Sequence, residues 1–580
     1  MPRYRRIIPV MLIAALGIIA YSNSAQNGFV WDDRYLIVEN RQLRDIRHVP
    51  HAFTQDLGAG ASKEYGFYRP LQIVFLTLGY QFWGLNPAGY RLLNICFHIL
   101  TALGLFLLLL LLFKDETLAF WTGALFVVHP LHTETVVYIP CMADVLSALW
   151  MIACGIFWLR FIEQRKMRDY VACILCFGLG LFSKETAVIT PALLALCASV
   201  RAKKIFSDGI WKSFIPFVII LILYAGLRIG VVGIVRPPGL SVAGFLERIP
   251  GFFVALTGYL KLFFLPADLH MEYGILSFPW TEPRIYIGGI ILLGFIAAAC
   301  IFRRHKIAAF GAGWFLLGML LHSNLYPVNQ SFMLEHWMYL PAMGLTLVSV
   351  QAARSLFSNK RALFVLGVCA LCLCSMLTIR QSGHWRNEIS VYERTLQYTP
   401  DNFKVLHNLC GAYFRVERYA DAQRTCQRAL EIVPDSYLTM INLGRTYVHR
   451  GRIEEGIQLY RQAIALHPQA VSAYLNLGIA LRKQGDTIGA RAALEQAIAV
   501  SPDDGEVYNA MGEFLLSLEE PRGAIQYFQK AVRTDPRNYR AAAFYFNLGR
   551  AYALTGNQKQ ATAAYQACLK LDPSFARARE

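Results

Sequence analysis

Five prolines, Pro400, Pro434, Pro468, Pro502 and Pro536, follow one another at intervals of 34 residues, and a sixth, Pro573, comes 37 residues later. Small residues keep the 34-residue step up to a last interval of 37: Cys410, Gly444, Gly478, Gly512 and Gly549; Ala422, Gly456, Ala490, Ala524 and Ala561; Ala429, Ala463, Ala497, Ala531 and Cys568. A 34-residue unit is a helical hairpin, and one hairpin cannot bury its own apolar face. Neighbouring hairpins must therefore stack, with small residues where paired helices touch and a proline closing each second helix. Five repeats over residues 403–580 hold all four registers together.

This is the tetratricopeptide (TPR) pattern, in about five repeats. Upstream the chemistry is different. The chain of 580 residues is 55% hydrophobic and only 16% charged, too apolar for an ordinary soluble enzyme. The runs 92–113, 143–161, 214–232 and 361–379 approach or reach the roughly 20 residues that cross a bilayer. The net charge of +17 does not indicate a nucleic-acid surface, because within the apolar part Lys and Arg sit in short clusters at 3–6, 165–168, 201–204, 303–306 and 354–361. Such clusters stay cytoplasmic. Alternation then puts 23–88, 132–142, 183–185, 231–285 and 323–335 on the outer face, together with everything after Arg380. Residues 70–84 and 251–266 are short for a span and are read as re-entrant or interfacial helices, which leaves about eleven spans. Met1–Ala20 is read as an uncleaved first span, since Tyr21-Ser22-Asn23-Ser24-Ala25 is a poor cleavage site. The expected fold is all-α: a polytopic membrane bundle over 1–380, a connecting or capping segment over 381–402, and a TPR solenoid over 403–580.

Most of the thirteen cysteines lie in apolar runs and read as small core residues. The CxxC pairs Cys173/Cys176 and Cys369/Cys372 have no second pair or histidine to complete a metal site.

Ionisable residues at span ends are functional-site candidates in so apolar a chain. The outer face carries Asp32-Asp33, Arg69, His129 and His132 with Glu134, Asp144, Lys184-Glu185, Arg228 and Glu335-His336. An outer-face carboxylate such as Asp32 or Asp33 stays ionised and can accept a proton, although an isolated Asp-Asp also suits a turn. His129 and His132 invite a zinc reading, but HxxH followed by xE is not a zinc spacing, and Pro130 disturbs their helix. Hydrogen bonding by these histidines is the favoured role. Lys184 and Glu185 can simply form an ion pair. The Arg69 guanidinium suits a phosphate, or a structural pairing with a nearby carboxylate.

In order and spacing, Phe29-x-Trp31-Asp32-Asp33, Tyr68-Arg69-Pro70-Leu71, His129-Pro130-x-His132-Thr133-Glu134, Ser183-Lys184-Glu185, Tyr259-Leu260 through Leu265-Pro266 to Met271-Glu272-Tyr273, Ser323-Asn324 and Glu335 ahead of Tyr339-Leu340-Pro341 resemble a family: the transmembrane-and-TPR O-mannosyltransferases, polytopic glycosyltransferases of the GT-C class. The resemblance runs along nearly the whole chain. It implies inverting transfer of a sugar, usually mannose, from a polyprenyl-phosphate donor to Ser or Thr of proteins on the outer or lumenal face. Asp32 or Asp33 would be the general base, and Arg69, then Lys184, the cradle for the leaving phosphate, with His129, His132, Glu134, Glu185 and Glu335 lining the site. No cofactor is fixed by it, and a divalent metal remains open. The chain departs at two basic positions: His336 follows Glu335 where the family usually has arginine, and Met142 also stands where arginine is usual.

Asn408, Asn442, Asn476 and Asn547 recur at one position of the repeats, with Ala510 breaking the row. An amide row can bond an extended peptide with little regard for its sequence, or it can belong to the repeat itself. Cys410 and Cys426 lie on the two helices of repeat one, where a disulfide is open and burial as small apolar side chains is favoured. Two other functions compete: a non-catalytic TPR scaffold assembling an envelope or secretion complex, and a transporter. The transporter is disfavoured because the charges gather on one face and no inverted repeat is visible. Short loops and a simple basic N-terminus fit a bacterial inner membrane better than the endoplasmic reticulum.

Overall fold

The computed structural model describes residues 7–61, 63–201, 210–234, 242–274, 277–301, 305–323, 331–535, 540–571 and 575. Pro536, Pro573, Asn324 and the basic cluster at 3–6 lie outside these. All regular structure among the described residues is helical, in two compact units, Met1–Thr399 and Pro400–Glu580.

The first unit begins with α1 (Ile7–Tyr21), α2 (Pro70–Trp83), α3 (Pro87–Phe113), α4 (Glu116–Val128) and a single turn α5 (Thr133–Val137). There follow α6 (Met142–Gln164), α7 (Met167–Ser183), α8 (Thr190–Arg201), α9 (Ile215–Val232) and α10 (Val242–Phe264). It ends with α11 (Pro283–Ile301), α12 (Lys306–Leu321), α13 (Tyr339–Leu356), α14 (Lys360–His384) and α15 (Glu388–Leu396). The boundaries have local causes. The side chains of Asn86, Asp115 and Asn359 accept N–H bonds at the starts of α3, α4 and α14. Lys114 and Arg165, at φ 56° and 55°, close α3 and α6 in left-handed conformation.

Among the described residues, six segments are long and apolar enough to cross a membrane: Ile7–Gln26, Pro87–Phe113, Ile139–Gln164, Trp211–Val232, Pro283–Cys300 and Lys360–His384. α4 and α12 are apolar but shorter. The remainder of about eleven spans would have to come from helices outside these six. The 14 residues of α2 reach only about 21 Å, short of a roughly 30 Å hydrocarbon core. The stretch 251–266, read from sequence as a short helix, proves to be most of a 23-residue helix, α10, that starts at Val242 and carries Pro250 inside it. α12 and α13 pack closely because both are glycine-bearing at the contact: a Cβ at Gly344 would collide with the Gly311 carbonyl oxygen. Trp385 stacks near Tyr138 and Tyr392 meets Trp31 edge-on, so the segment after residue 380 packs within the first unit as far as Thr399.

The second unit is five antiparallel hairpins: α16 (Phe403–Arg415) with α17 (Tyr419–Ile432), α18 (Tyr437–His449) with α19 (Ile453–Leu466), α20 (Val471–Gln484) with α21 (Thr487–Val500), α22 (Gly505–Ser517) with α23 (Pro521–Thr534), and α24 (Ala541–Leu554) with α25 (Gln558–Leu571). Pro434, Pro468 and Pro502 each fall two residues beyond a second helix. The small-residue registers mark the helix contacts: a Cβ at Gly444 would lie 2.7 Å from the Tyr460 ring, and one at Gly512 would lie 2.5 Å from the Phe528 ring. Cys410 and Cys426 are joined as a disulfide across α16 and α17, with Cα atoms 5.3 Å apart. Burial without a bond was the sequence expectation; the pairing follows because consecutive antiparallel helices bring these two fully buried positions face to face.

Candidate active site

The Asp32-Asp33 segment is pinned before it reaches either carboxylate. Arg91, fully buried five residues into α3, donates through both terminal nitrogens to the carbonyl oxygens of Asn27 and Gly28 and through Nε to Val137 O at 3.0 Å. The Asn27 amide donates to Ser382 O at 2.9 Å and the Gly28 N–H to Arg386 O at 2.8 Å. Trp31 then takes φ 49°, a conformation that costs a non-glycine residue roughly 1–3 kcal/mol. The bend sends adjacent carboxylates to different places. Asp33 is completely buried, accepts the Val30 N–H at 2.8 Å, and leaves its other oxygen without a hydrogen-bond partner. Burial pushes its pKa up to about 8, against the pull of Arg91 and of the Val30 N–H. Asp32 instead accepts hydroxyl bonds from Tyr138 at 3.0 Å and Tyr65 at 3.3 Å, and lines a cavity of about 230 Å³.

Arg69, Lys184 and Glu185 line the same cavity, with Asp144, Cys141, His322 and His336. Arg69 caps α2 and lies over the Phe67 ring at 4.2 Å. Its guanidinium is already forked onto Glu185, at 3.0 Å from Nε and 2.5 Å from Nη2. Burial raises the Glu185 pKa, but the Arg69 charge and its bonds outweigh this and bring it down to about 2. Lys184 Nζ donates to Asp144 Oδ1 at 2.6 Å, both side chains being less than a tenth exposed. The Lys184-Glu185 pairing considered from sequence is therefore not made, because the extended backbone at Lys184 points neighbouring side chains apart. Each goes to a different opposite charge.

The remaining sequence candidates are placed otherwise. His129 and His132 do not line this cavity. His129 faces Phe263 O through Nε2 at 3.0 Å, and His132 is fully buried among Phe126, His129 and Tyr339 rings, with neither nitrogen hydrogen-bonded. Burial holds the His129 imidazole down at about 4 and pushes that of His132 well below its ordinary value. Glu335 is also off the cavity: its Oε1 accepts the His270 N–H at 2.5 Å and the Tyr273 hydroxyl at 2.8 Å, fastening the 270–273 loop. Burial, with the Glu134 charge beside it, raises its pKa well above the usual carboxylate range. Glu134 is buried one step behind the lining, accepting from His336 Nδ1 at 2.9 Å and the His336 N–H at 3.0 Å. Met142, where arginine was expected, is sealed in an apolar cluster with Leu36, Ile37 and Leu146.

Sequence reasoning passed over Tyr65, Tyr138, Arg91 and His322. Arg91 had a signal, a lone arginine opening an apolar span. The tyrosines had none, being two among 29 in the chain. His322 holds Gly318 O through Nδ1 at 3.0 Å while its buried Nε2 has no hydrogen-bond partner.

In the repeat unit, Asn408, Asn442 and Asn476 are half-buried, and the Asn476 amide donates to Ser472 O at 2.6 Å. Asn547 departs from the row. It is buried, and its NH₂ group is spent on Asn509 Oδ1 at 3.0 Å and Glu513 Oε1 at 2.7 Å, so it has no donor for a peptide.

Comparisons with known proteins bear on both units. Residues 70–226 match the family model described as dolichyl-phosphate-mannose-protein mannosyltransferase. Residues 401–469, 441–504, 475–539 and 509–574 match tetratricopeptide-repeat models. The Caenorhabditis elegans protein O-mannosyl-transferase F38B6.6 is 25% identical over 420 residues, covering 69% of this chain and 59% of that one. Human protein O-mannosyl-transferase TMTC1 is 25% identical over 471 residues, covering 68% and 52%. Among solved structures, the pilus biogenesis factor PilW aligns to 34% of this chain and 89% of its own at 22% identity, with a TM-score of 0.30. The chain spans about half the length of the curated relatives it matches. By sequence the chain is similar to curated protein O-mannosyl-transferases, with residues 70–226 matching the mannosyltransferase model and residues 401–574 matching tetratricopeptide-repeat models.

Proposed function

We propose that the chain is a membrane glycosyltransferase that moves a sugar, mannose first among candidates, from a polyprenyl-phosphate donor to Ser or Thr hydroxyls on the periplasmic or lumenal face. The observation that carries this reading is the placement of Asp32 on one cavity wall with Arg69 and Lys184. A hydroxyl is a weak nucleophile and needs a carboxylate within hydrogen-bond reach. Asp32 takes its proton as the oxygen attacks the anomeric carbon, and the lipid phosphate leaves with the bonding pair. One displacement inverts the anomeric centre, so one carboxylate acting as base suffices. Asp144 and Glu185, also on the cavity, are engaged by Lys184 and Arg69. The departing phosphate gains charge stabilisation where those cations exchange carboxylate for phosphate oxygen.

Asn408, Asn442 and Asn476 are the proposed acceptor-peptide contacts of the repeat unit. The proposed setting is a bacterial inner membrane, with the solenoid on the outer side. The test compares intact masses of envelope and secreted proteins from cells carrying the native chain or Asp32→Asn. Hexose-sized losses confined to the variant are expected. Unchanged masses with the variant stably inserted would refute transfer through Asp32 and leave a TPR scaffold.

A further inference from the structure

We infer that Glu134, Cys141 and His336 form a binding site for one divalent transition metal, zinc by its ligand set, whose last coordination position opens on the Asp32 cavity and accepts an anionic oxygen. The three residues come from separate short turns: Glu134 from α5, Cys141 from the turn before α6, and His336 from the turn before α13. Their ligand atoms lie within 4.8 Å of one another. Glu134 and Cys141 are 2% and 4% exposed, and Cys141 and His336 both face the cavity.

The donor set selects the ion. Mg²⁺ and Ca²⁺ call for oxygen throughout, whereas one thiolate, one imidazole and one carboxylate suit zinc, and three protein ligands with a fourth place open is its reactive arrangement. Metal–ligand bonds of about 2.0–2.3 Å imply ligand atoms roughly 3.3–3.8 Å apart in a tetrahedron. The Glu134 Oε1 and His336 Nδ1 atoms stand 2.9 Å apart, and all three ligand atoms lie within 4.8 Å of one another, so the spacing brackets that range. The carboxylate is already oriented, since the His336 N–H holds Glu134 Oε2 at 3.0 Å and leaves Oε1 toward the imidazole. The thiol gives up its proton to solvent when the ion enters.

Charge gives the site its use. Arg69 and Lys184 are each matched by a carboxylate, and Asp32 adds a further negative charge, so an entering phosphate meets no surplus cation on the lining described. An ion bound at its edge adds two positive charges against the Glu134 carboxylate and the new thiolate, a gain of one over the metal-free site. This use rests on the transferase reading; the binding of metal does not.

The experiment is a Co²⁺ titration of the full chain, purified in detergent and stripped of metal, with no donor or acceptor present. One equivalent is expected to give tetrahedral cobalt bands and a thiolate-to-cobalt charge-transfer band, all removed by Zn²⁺. Cys141→Ser should abolish the thiolate band and His336→Arg should weaken binding by about tenfold or more. Cys176→Ser, at a cysteine away from the cluster, should change nothing. Metal should raise the melting temperature of the native chain but not of Cys141→Ser, which separates lost binding from lost folding. No thiolate band in the native chain, or one that survives Cys141→Ser, would overturn the site. Inorganic phosphate should shift the cobalt bands, and unshifted bands would overturn the open position. Failure here leaves transfer through Asp32 standing, and failed transfer leaves the metal site standing.

Discussion

Asp32→Asn and Asp33→Asn, made separately, should have opposite consequences although the residues are neighbours. Asp33 has its pKa lifted by burial from an ordinary 3.8 to about 8. Between those two values the folded chain holds a proton that the unfolded chain has released, so stability falls as pH rises. At pH 7 this spans roughly three pH units at about 1.36 kcal/mol each, a cost on the order of 4 kcal/mol. At pH 5 the same reckoning leaves about 1.6 kcal/mol. Asparagine cannot ionise and escapes that cost. Its oxygen can keep the Val30 N–H, while its NH₂ inherits a buried position with no hydrogen-bond partner, a loss of about 1–3 kcal/mol. The variant should therefore melt above the native chain at pH 7–8 and level with it or below at pH 5. Asp32→Asn should melt within about 1 kcal/mol of the native chain, since its oxygen can still accept the Tyr138 hydroxyl. Its sugar transfer should fall by roughly 10²–10⁴. Melting curves in detergent from pH 5 to 8, paired with transfer to a Ser/Thr peptide, decide the matter. If Asp33→Asn follows the native chain at every pH and abolishes transfer while Asp32→Asn does neither, the roles are reversed and the burial argument fails.

Glu185→Gln should destabilise the first unit by about 3 kcal/mol near neutral pH, less what solvent screening removes at a 29% exposed carboxylate, because Arg69 stays buried and loses its counter-charge. A carboxylate whose pKa is depressed to about 2 contributes fully above about 4.5 and loses that contribution as pH falls through about 2, so native and variant melting curves should converge there. Gly512→Ala should lower the melting temperature of the repeat unit, at a cost of about 1–3 kcal/mol, since the new Cβ meets the Phe528 ring at 2.5 Å. An unobstructed helical glycine would instead gain about 0.5–1 kcal/mol on the same change, so the sign alone tests the packing. Cys410 and Cys426 should resist thiol labelling in acid-quenched, denatured chain until reduced, and Cys410→Ser should cost about 3 kcal/mol for a 16-residue separation. Free labelling of both would put the solenoid on the reducing side of the membrane.

The sequence by itself determined what repeats along it. The 34-residue registers located all five hairpins and the helix contacts within them, because stacking demands a small residue at each close approach and a break after each second helix, whatever the rest of the fold does. Apolar run length likewise marked the long helices, since hydrocarbon thickness is a property of the bilayer. The candidate residues of the membrane unit were legible as outer-face ionisable groups, but their partners were not. Only the tertiary structure separated Asp32 from Asp33, through a left-handed turn at Trp31 held by Arg91, some 60 residues away in sequence. It alone paired Arg69 with Glu185 and Lys184 with Asp144, drew His129, His132 and Glu335 away from the cavity, and brought Glu134 against His336 across 202 residues. The reason is that charge pairing in a low-dielectric interior depends on three-dimensional separation and desolvation, and neither is a periodic quantity along the chain.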